Sequence, residues 1–304
     1  DAKGKILTPG FIGSMNQLGL VEVSAVSRTR DAGEKKADIT FDASSAFNPF
    51  SSLIAYSRKG GITTNVVTPR GGDSMFKGQA FVADLSGDLD SIVMSNAAVI
   101  VELGAKSKGS RAFEIQSLRH KLEDAQKALA KAQEKTDDEK DKKSEKEPKR
   151  DEKIINALLS GEKPLIAYAD RATDIIALLD LKKSFNLDLV IGGAGDAIRV
   201  AEQLATAKVP VIIGAVDNLP SFDALHASLE TAANLVNAGV QVVFSVSGDT
   251  HNLYQLRFDA GNAVANGMSK EQALAAVTAN VADAFNIDAG RIAVGKKADL
   301  VLWS

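Results

Sequence analysis

The sequence predicts an α/β fold, a (β/α)8 barrel, on three observations. Short apolar, β-branched runs alternate with longer stretches of helical periodicity, the pattern of repeated βα units around a parallel sheet. About eight such runs can be found, the number a barrel requires. A chain of 304 residues is also long enough to bury one large core in a single domain.

The strand-like runs cover residues 6–12, 62–67, 91–95, 98–103, 164–167, 187–191, 210–213 and 240–246. Helical patterns follow several of them, over residues 171–183, 196–207, 221–237 and 269–285. Asp196 and Ser221 sit where helix N-caps belong, and Gly239 sits where a helix stops.

One stretch breaks the rhythm. Residues 116–133 carry Leu118, Leu122, Ala125, Leu129 and Ala132 at three- and four-residue spacing on an otherwise charged helix. Residues 134–153 are then almost wholly charged, with Pro148 among them. Mixed-sign runs of this kind belong to solvated helix or disorder. The expectation is one barrel over 1–304 with a charged helical insertion at 111–160, before the fifth strand, projecting as a hairpin. A solvated appendage explains it, and a partner-binding arm is the alternative.

Composition removes several function classes. Hydrophobic residues at 45% and charged residues at 25% mark an ordinary globular protein rather than a disordered one. A formal net charge of -3 argues against nucleic acid as the main partner. No apolar run is long enough to span a bilayer. There is no cysteine, so disulfides, thiolate metal sites and cysteine nucleophiles are excluded. The chain opens on Asp1-Ala2-Lys3-Gly4-Lys5 without a signal peptide. Its compartment stays open between cytoplasmic and exported.

Three sets of motifs carry a family resemblance. Leu7-Thr8-Pro9-Gly10-Phe11-Ile12-Gly13 leads into Ser14-Met15-Asn16-Gln17 near the start. The end has Thr278-Ala279-Asn280-Val281-Ala282, then Gly290-Arg291-Ile292, then Gly295-Lys296-Lys297-Ala298-Asp299-Leu300-Val301. Between them lie Gly60-Gly61-Ile62-Thr63-Thr64, Lys163-Pro164-Leu165-Ile166-Ala167 and Val209-Pro210-Val211-Ile212-Ile213-Gly214. Together these resemble the amidohydrolase superfamily, in its imidazolonepropionase-like branch, over nearly the whole chain. The resemblance implies a TIM-like barrel and hydrolysis of carbon–nitrogen bonds in cyclic amides or dipeptide-like substrates. It also implies a flanking β-sandwich, of which this chain holds little.

The same resemblance implies zinc or another divalent metal. Its ligands would be His-X-His on the first barrel strand, a carboxylate or modified lysine on the fourth, single histidines on the fifth and sixth, and an aspartate on the eighth. Here the first pair reads Met15 and Gln17. A thioether and a neutral amide do not replace two imidazoles on such an ion. The fourth strand offers Glu102, either a residual ligand or an acid paired with Lys106 or another base. The fifth offers Tyr168, with Asp170 two residues on. The sixth ends Gly192-Gly193-Ala194 and offers no ligand. The eighth ends Val246-Ser247-Gly248-Asp249, and Asp249 matches the family aspartate.

Only three histidines exist, His120, His226 and His251, and only His251 follows a strand end. The expected site therefore has no metal ligands and no cofactor. Asp249 stands as the retained acid or base, or as a polar group bonded to nearby backbone, with His251 as a weaker catalytic candidate. Asn16, Gln17, Arg70, Tyr168, Asp170 and Arg171 are the substrate-binding candidates. Ser245 or Ser247 beside Asp249 and His251 suggests a triad, but no Gly-X-Ser-X-Gly elbow is present. Gly192-Gly193-Ala194-Gly195-Asp196 lacks dinucleotide spacing and reads as a tight βα turn.

Two functional classes follow. One is a hydrolase whose degenerate site leaves weak or no activity. The other is a non-catalytic barrel that binds a small molecule or a partner chain. A homo-oligomer, or pairing with an active metal-bearing relative, fits either, and neither needs nucleic acid or a membrane.

Overall fold

The structure is a computed structural model that describes residues 2–104, 110–138, 148–214, 221–246 and 249–303, with backbone alone for 133–138. Eight strands form one sheet in sequence order: β2 (Phe11–Asn16), β3 (Ile62–Val67), β4 (Phe76–Asp84), β5 (Ile92–Glu102), β6 (Leu165–Ala169), β7 (Leu189–Gly193), β8 (Val211–Ile213) and β9 (Val242–Phe244). The sheet curls into a nearly closed, TIM-like barrel. A separate two-stranded ribbon pairs β1 (Ile6–Pro9) antiparallel with β10 (Leu300–Trp303). The helices are α1 (Ser52–Arg58), α2 (Arg111–Asp138), α3 (Arg150–Leu159), α4 (Ala172–Phe185), α5 (Ala201–Thr206), α6 (Thr231–Asn237), α7 (Leu256–Ala265), α8 (Lys270–Ala276) and α9 (Ala279–Ala284).

Alternation along each strand divides the core into two layers. Ile12, Val66, Val82, Ile100, Ile166, Val190, Ile212 and Val243 point inward and fill the barrel. Phe11, Ile62, Val99, Leu165, Leu189, Val211 and Val242 point outward, under the helices. The interior is therefore a packed core with Phe285 and Val281 among its members.

The seam of the barrel lies between β9 and β2, where the sheet order ends. Edge groups there find partners in the α8–α9 segment instead. Ile12 donates its N–H to the Val277 carbonyl at 2.9 Å. Asn280 Nδ2 donates to the Val242 carbonyl at 2.8 Å, and Gln241 Nε2 donates to the Asn280 carbonyl at 3.3 Å. This explains the break in the helix expected over 269–285. Thr278 adopts φ -137°, ψ -92°, and its hydroxyl donates to the Leu274 carbonyl at 2.6 Å. Within the Thr-X-Asn motif, Asn280 thus closes the seam, while the Thr278 hydroxyl satisfies a carbonyl at the end of α8.

The expected strand set needs correcting. The run 6–12 is two strands in two sheets, because the chain turns at Gly10. A Cβ there would sit 2.0 Å from the Thr63 hydroxyl, so only glycine fits. The runs 91–95 and 98–103 are one strand, β5. Asn96 lies within it at φ +53°, near a register shift in its pairing with β4. The missing eighth strand is β4, which runs antiparallel to both neighbours, so the sheet is mixed rather than all parallel.

Helix boundaries shift as well. The pattern over 196–207 is a 3-10 turn, Ala197–Val200, followed by α5. The helix expected over 221–237 is only α6; Ser221 caps nothing and instead bridges Ala224. His226 therefore lies in irregular chain. Gly239, at φ +88°, does end α6. Ser269 caps α8 in a reciprocal box with Gln272, as S/T-x-x-Q spacing requires.

The charged segment is part core and part arm. Leu118 and Leu122 of α2 and Ile155 and Leu158 of α3 are buried in the outer layer, whereas Phe113 is exposed. The paired helices leave the barrel from these buried turns. The most highly charged stretch, 139–147, lies outside the described residues.

Candidate functional site

At the carboxyl ends of the strands a cavity of about 430 Å³ opens at the barrel mouth. Its wall includes Met15, Asn16, Gln17, Thr68, Arg70, Glu102, Arg111, Tyr168, Asp170, Asp223 and Ser245. Five of the six substrate-binding candidates, Asn16, Gln17, Arg70, Tyr168 and Asp170, therefore share one cavity. The sixth, Arg171, reaches it indirectly, bonding through Nε to Asp223 at 2.9 Å.

Met15 is placed by strain. It is skipped by the β2–β3 register and adopts φ +58°, a left-handed conformation rare for a side-chain-bearing residue. This bulge turns the buried thioether into the barrel interior. Asn16 is fully engaged beside it. Asn16 Nδ2 donates to Asn65 Oδ1 at 2.8 Å, Asn65 Nδ2 donates back to Asn16 Oδ1 at 3.0 Å, and Leu18 N–H donates to the same oxygen. A buried amide pair this complete holds β2 to β3 and leaves little for a ligand.

Tyr168 faces the same space at the end of β6. Burial, then the neighbouring Glu102 and Asp170 carboxylates, push its phenol far above the ordinary range, so it is a neutral donor. Tyr168 and Asp170 stand against glycines on β7. A Cβ at Gly192 would lie 2.9 Å from the Tyr168 ring, and one at Gly193 would lie 2.6 Å from Asp170 Oδ1. Any larger residue at those two positions would displace them.

Glu102 pairs with a base that spacing did not reveal. Lys77, only 2% exposed, brings Nζ to 3.8 Å from Glu102 Oε2 and donates to the Gly72 carbonyl at 2.9 Å. Lys106, the partner first considered, lies outside the described residues. Arg111 was hidden in the charge run. Its Nε stands 3.2 Å from Asp174 Oδ2 and its Nη2 donates to Asp223 Oδ1 at 2.8 Å. Burial raises the Asp174 carboxyl, while Arg111 and Arg171 pull it back.

Asp249 belongs to a different pocket. It lines a neighbouring space of about 380 Å³ with Arg30, Lys35 and Glu34, and this space meets the cavity at Gln17 and Arg70. Asp249 is exposed and accepts a hydrogen bond from the Ser24 hydroxyl at 2.6 Å. His251 is also exposed, and lines neither space. Ser245 lies in the cavity with its hydroxyl directed at the Ile213 carbonyl, 3.5 Å away. These placements do not assemble a triad, and Ser247 lies outside the described residues. Among the described residues no three His, Cys, Asp or Glu side chains converge on a point that could hold a metal ion.

Comparison with known proteins supplies the family. A model of the amidohydrolase family matches residues 111–304. No curated protein matches the whole sequence significantly. Among solved structures, an amidohydrolase from Thermotoga maritima MSB8 is 25% identical, with a TM-score of 0.87 over 99% of this chain and 82% of that one. A β-aspartyl dipeptidase from Fervidobacterium islandicum AW-1, solved with a β-Asp-Leu dipeptide, is 15% identical with a TM-score of 0.53 over 99% of this chain and 81% of that one. At that identity the second likeness is one of fold alone. With its barrel, its seam-closing Thr-X-Asn segment and a family match over most of its length, this chain belongs to the amidohydrolase family.

Proposed function

We propose that this barrel binds a small polar molecule in its strand-end cavity and holds no resident transition metal. Metal-dependent hydrolysis is then weak or lost. The observation that carries the reading is the donor set. A catalytic zinc takes three protein ligands of nitrogen, sulfur or carboxylate type, with one position open. The family positions offer a thioether in a strained bulge, an amide, a carboxylate at Glu102 already paired with Lys77, a neutral phenol, two glycines and an exposed aspartate in the next pocket. These residues do not fit the family's metal.

The cavity suits binding. It is lined by a neutral hydroxyl donor at Tyr168, an amide at Gln17, guanidinium groups at Arg70 and Arg111, and carboxylates at Asp170 and Glu102. Such convergent polar groups in a concave site fix a ligand's orientation. Nothing in this set lowers the pKa of an attacking water as a metal would. Asp249 then acts as a polar wall of the side pocket.

Strong chelators should leave the melting temperature unchanged, and Asp249→Ala should leave it within a degree or two, as for an exposed residue. A chelator-induced fall of several degrees that added zinc restores would contradict the reading.

A further inference from the structure

We infer that Arg111 and Arg171 form a carboxylate-binding fork that Asp223 now fills, so that the cavity's ligand is a carboxylate-bearing small molecule that displaces the strap 221–227. The inference deepens the binding reading above and rests on it. Both guanidinium groups converge on one oxygen: Arg111 Nη2 donates to Asp223 Oδ1 at 2.8 Å and Arg171 Nε to the same atom at 2.9 Å. Asp223 is itself part of the cavity wall, beside Arg111. A side chain from a surface strap therefore stands where a ligand's carboxylate would be received.

Arg111, the arm of the fork that lines the cavity, is held independently of the strap. Asp174 holds Arg111 from its other side at 3.2 Å, and the guanidinium lies over Gly104, where a Cβ would come within 2.9 Å. Arg171 sits at the N-cap of α4, its backbone set by the helix start. Arginine is suited to the task because its planar donors match a carboxylate.

The strap is held weakly. No residue from 221 to 227 is buried, and Phe222 and Leu225 are 94% and 64% exposed. Polar pins do the holding: Asp223 on the fork, and His226 Nδ1 2.7 Å from Asp196 Oδ1 with Arg199 Nη1 3.1 Å from Nε2. Ala224 rests on Gly195. Releasing Asp223 therefore uncovers no core, and what a ligand must replace is its part-buried pairing with the two guanidinium groups.

Titration calorimetry of the full chain with succinate, and separately with inorganic phosphate, tests this. Removing the competing acid should tighten anion binding rather than weaken it. Asp223→Asn, with Asp223→Ser as a second variant, should bind succinate at least tenfold more tightly than the parent. Adding Arg171→Gln to either should abolish the gain. No gain in either variant, or a gain that survives Arg171→Gln, would overturn the fork. A gain for phosphate without one for succinate would overturn the carboxylate assignment. Metal content of the same samples separates the two claims. Bound zinc in the parent defeats the metal-free reading alone, whereas metal-free variants that gain nothing defeat only the fork.

Discussion

Phe285→Ala should cost about 3–5 kcal/mol of stability, the usual penalty for truncating a fully buried aromatic residue. Phe285 has no exposed surface and packs in the barrel interior with Ile12, Val66, Val82 and Ile166. It follows α9 directly, the element that also seals the seam through Asn280 and the Val242 carbonyl. Truncation leaves a void that the surrounding packed strands cannot collapse to fill. Denaturant unfolding should show a lower midpoint. A loss under about 1 kcal/mol would mean that Phe285 does not fill the barrel as described.

The second large effect concerns Asp259. This residue of α7 is buried, its Oδ2 has no hydrogen-bond partner, and burial pushes its carboxyl up to about 6. The folded state thus prefers the protonated form. With an unfolded value near 3.9, the protein bears no penalty from Asp259 below about pH 4. It loses stability as pH rises through the folded value of about 6. At pH 8 the loss approaches about 3 kcal/mol if the whole shift is expressed. Asp259→Asn removes this titration. The variant should gain on the parent progressively between pH 4 and pH 7, in urea unfolding series run side by side. A difference that stays constant across that range would contradict the account.

The barrel was legible in the sequence because most of its strands are continuous Val, Ile and Leu runs, buried on both faces. The count of eight was right through two compensating errors. Phe76–Asp84 opens with Lys77, Gly78 and Gln79, so it does not read as a buried strand. Lys77 is buried because it meets Glu102 and the Gly72 carbonyl, partners distant or hidden in the sequence. The bulge near Asn96 made the single long strand β5 read as two. Local pattern also carried no sign that the Thr278 helix would break, because the cause is a tertiary demand from Ile12 at the seam.

The cavity was legible only where a residue sits at a strand end. Tyr168, Asp170, Gln17 and Arg70 fall there, and the structure brings them together. Arg111 and Asp223 were not foreseen. Arg111 opens a long charged helix, and the irregular strap bearing Asp223 was read as helix. Asp249, which the resemblance matches to the family aspartate, is engaged by the loop carrying Ser24 in the adjacent pocket.

The central claim is that an amidohydrolase-family barrel has become a binding site without its metal. Elemental analysis of protein purified after growth with excess zinc tests it most directly. The account predicts well under one equivalent of any transition metal per chain. One tightly bound ion per chain at the cavity, lost on mutation of Glu102 or Asp170, would contradict it.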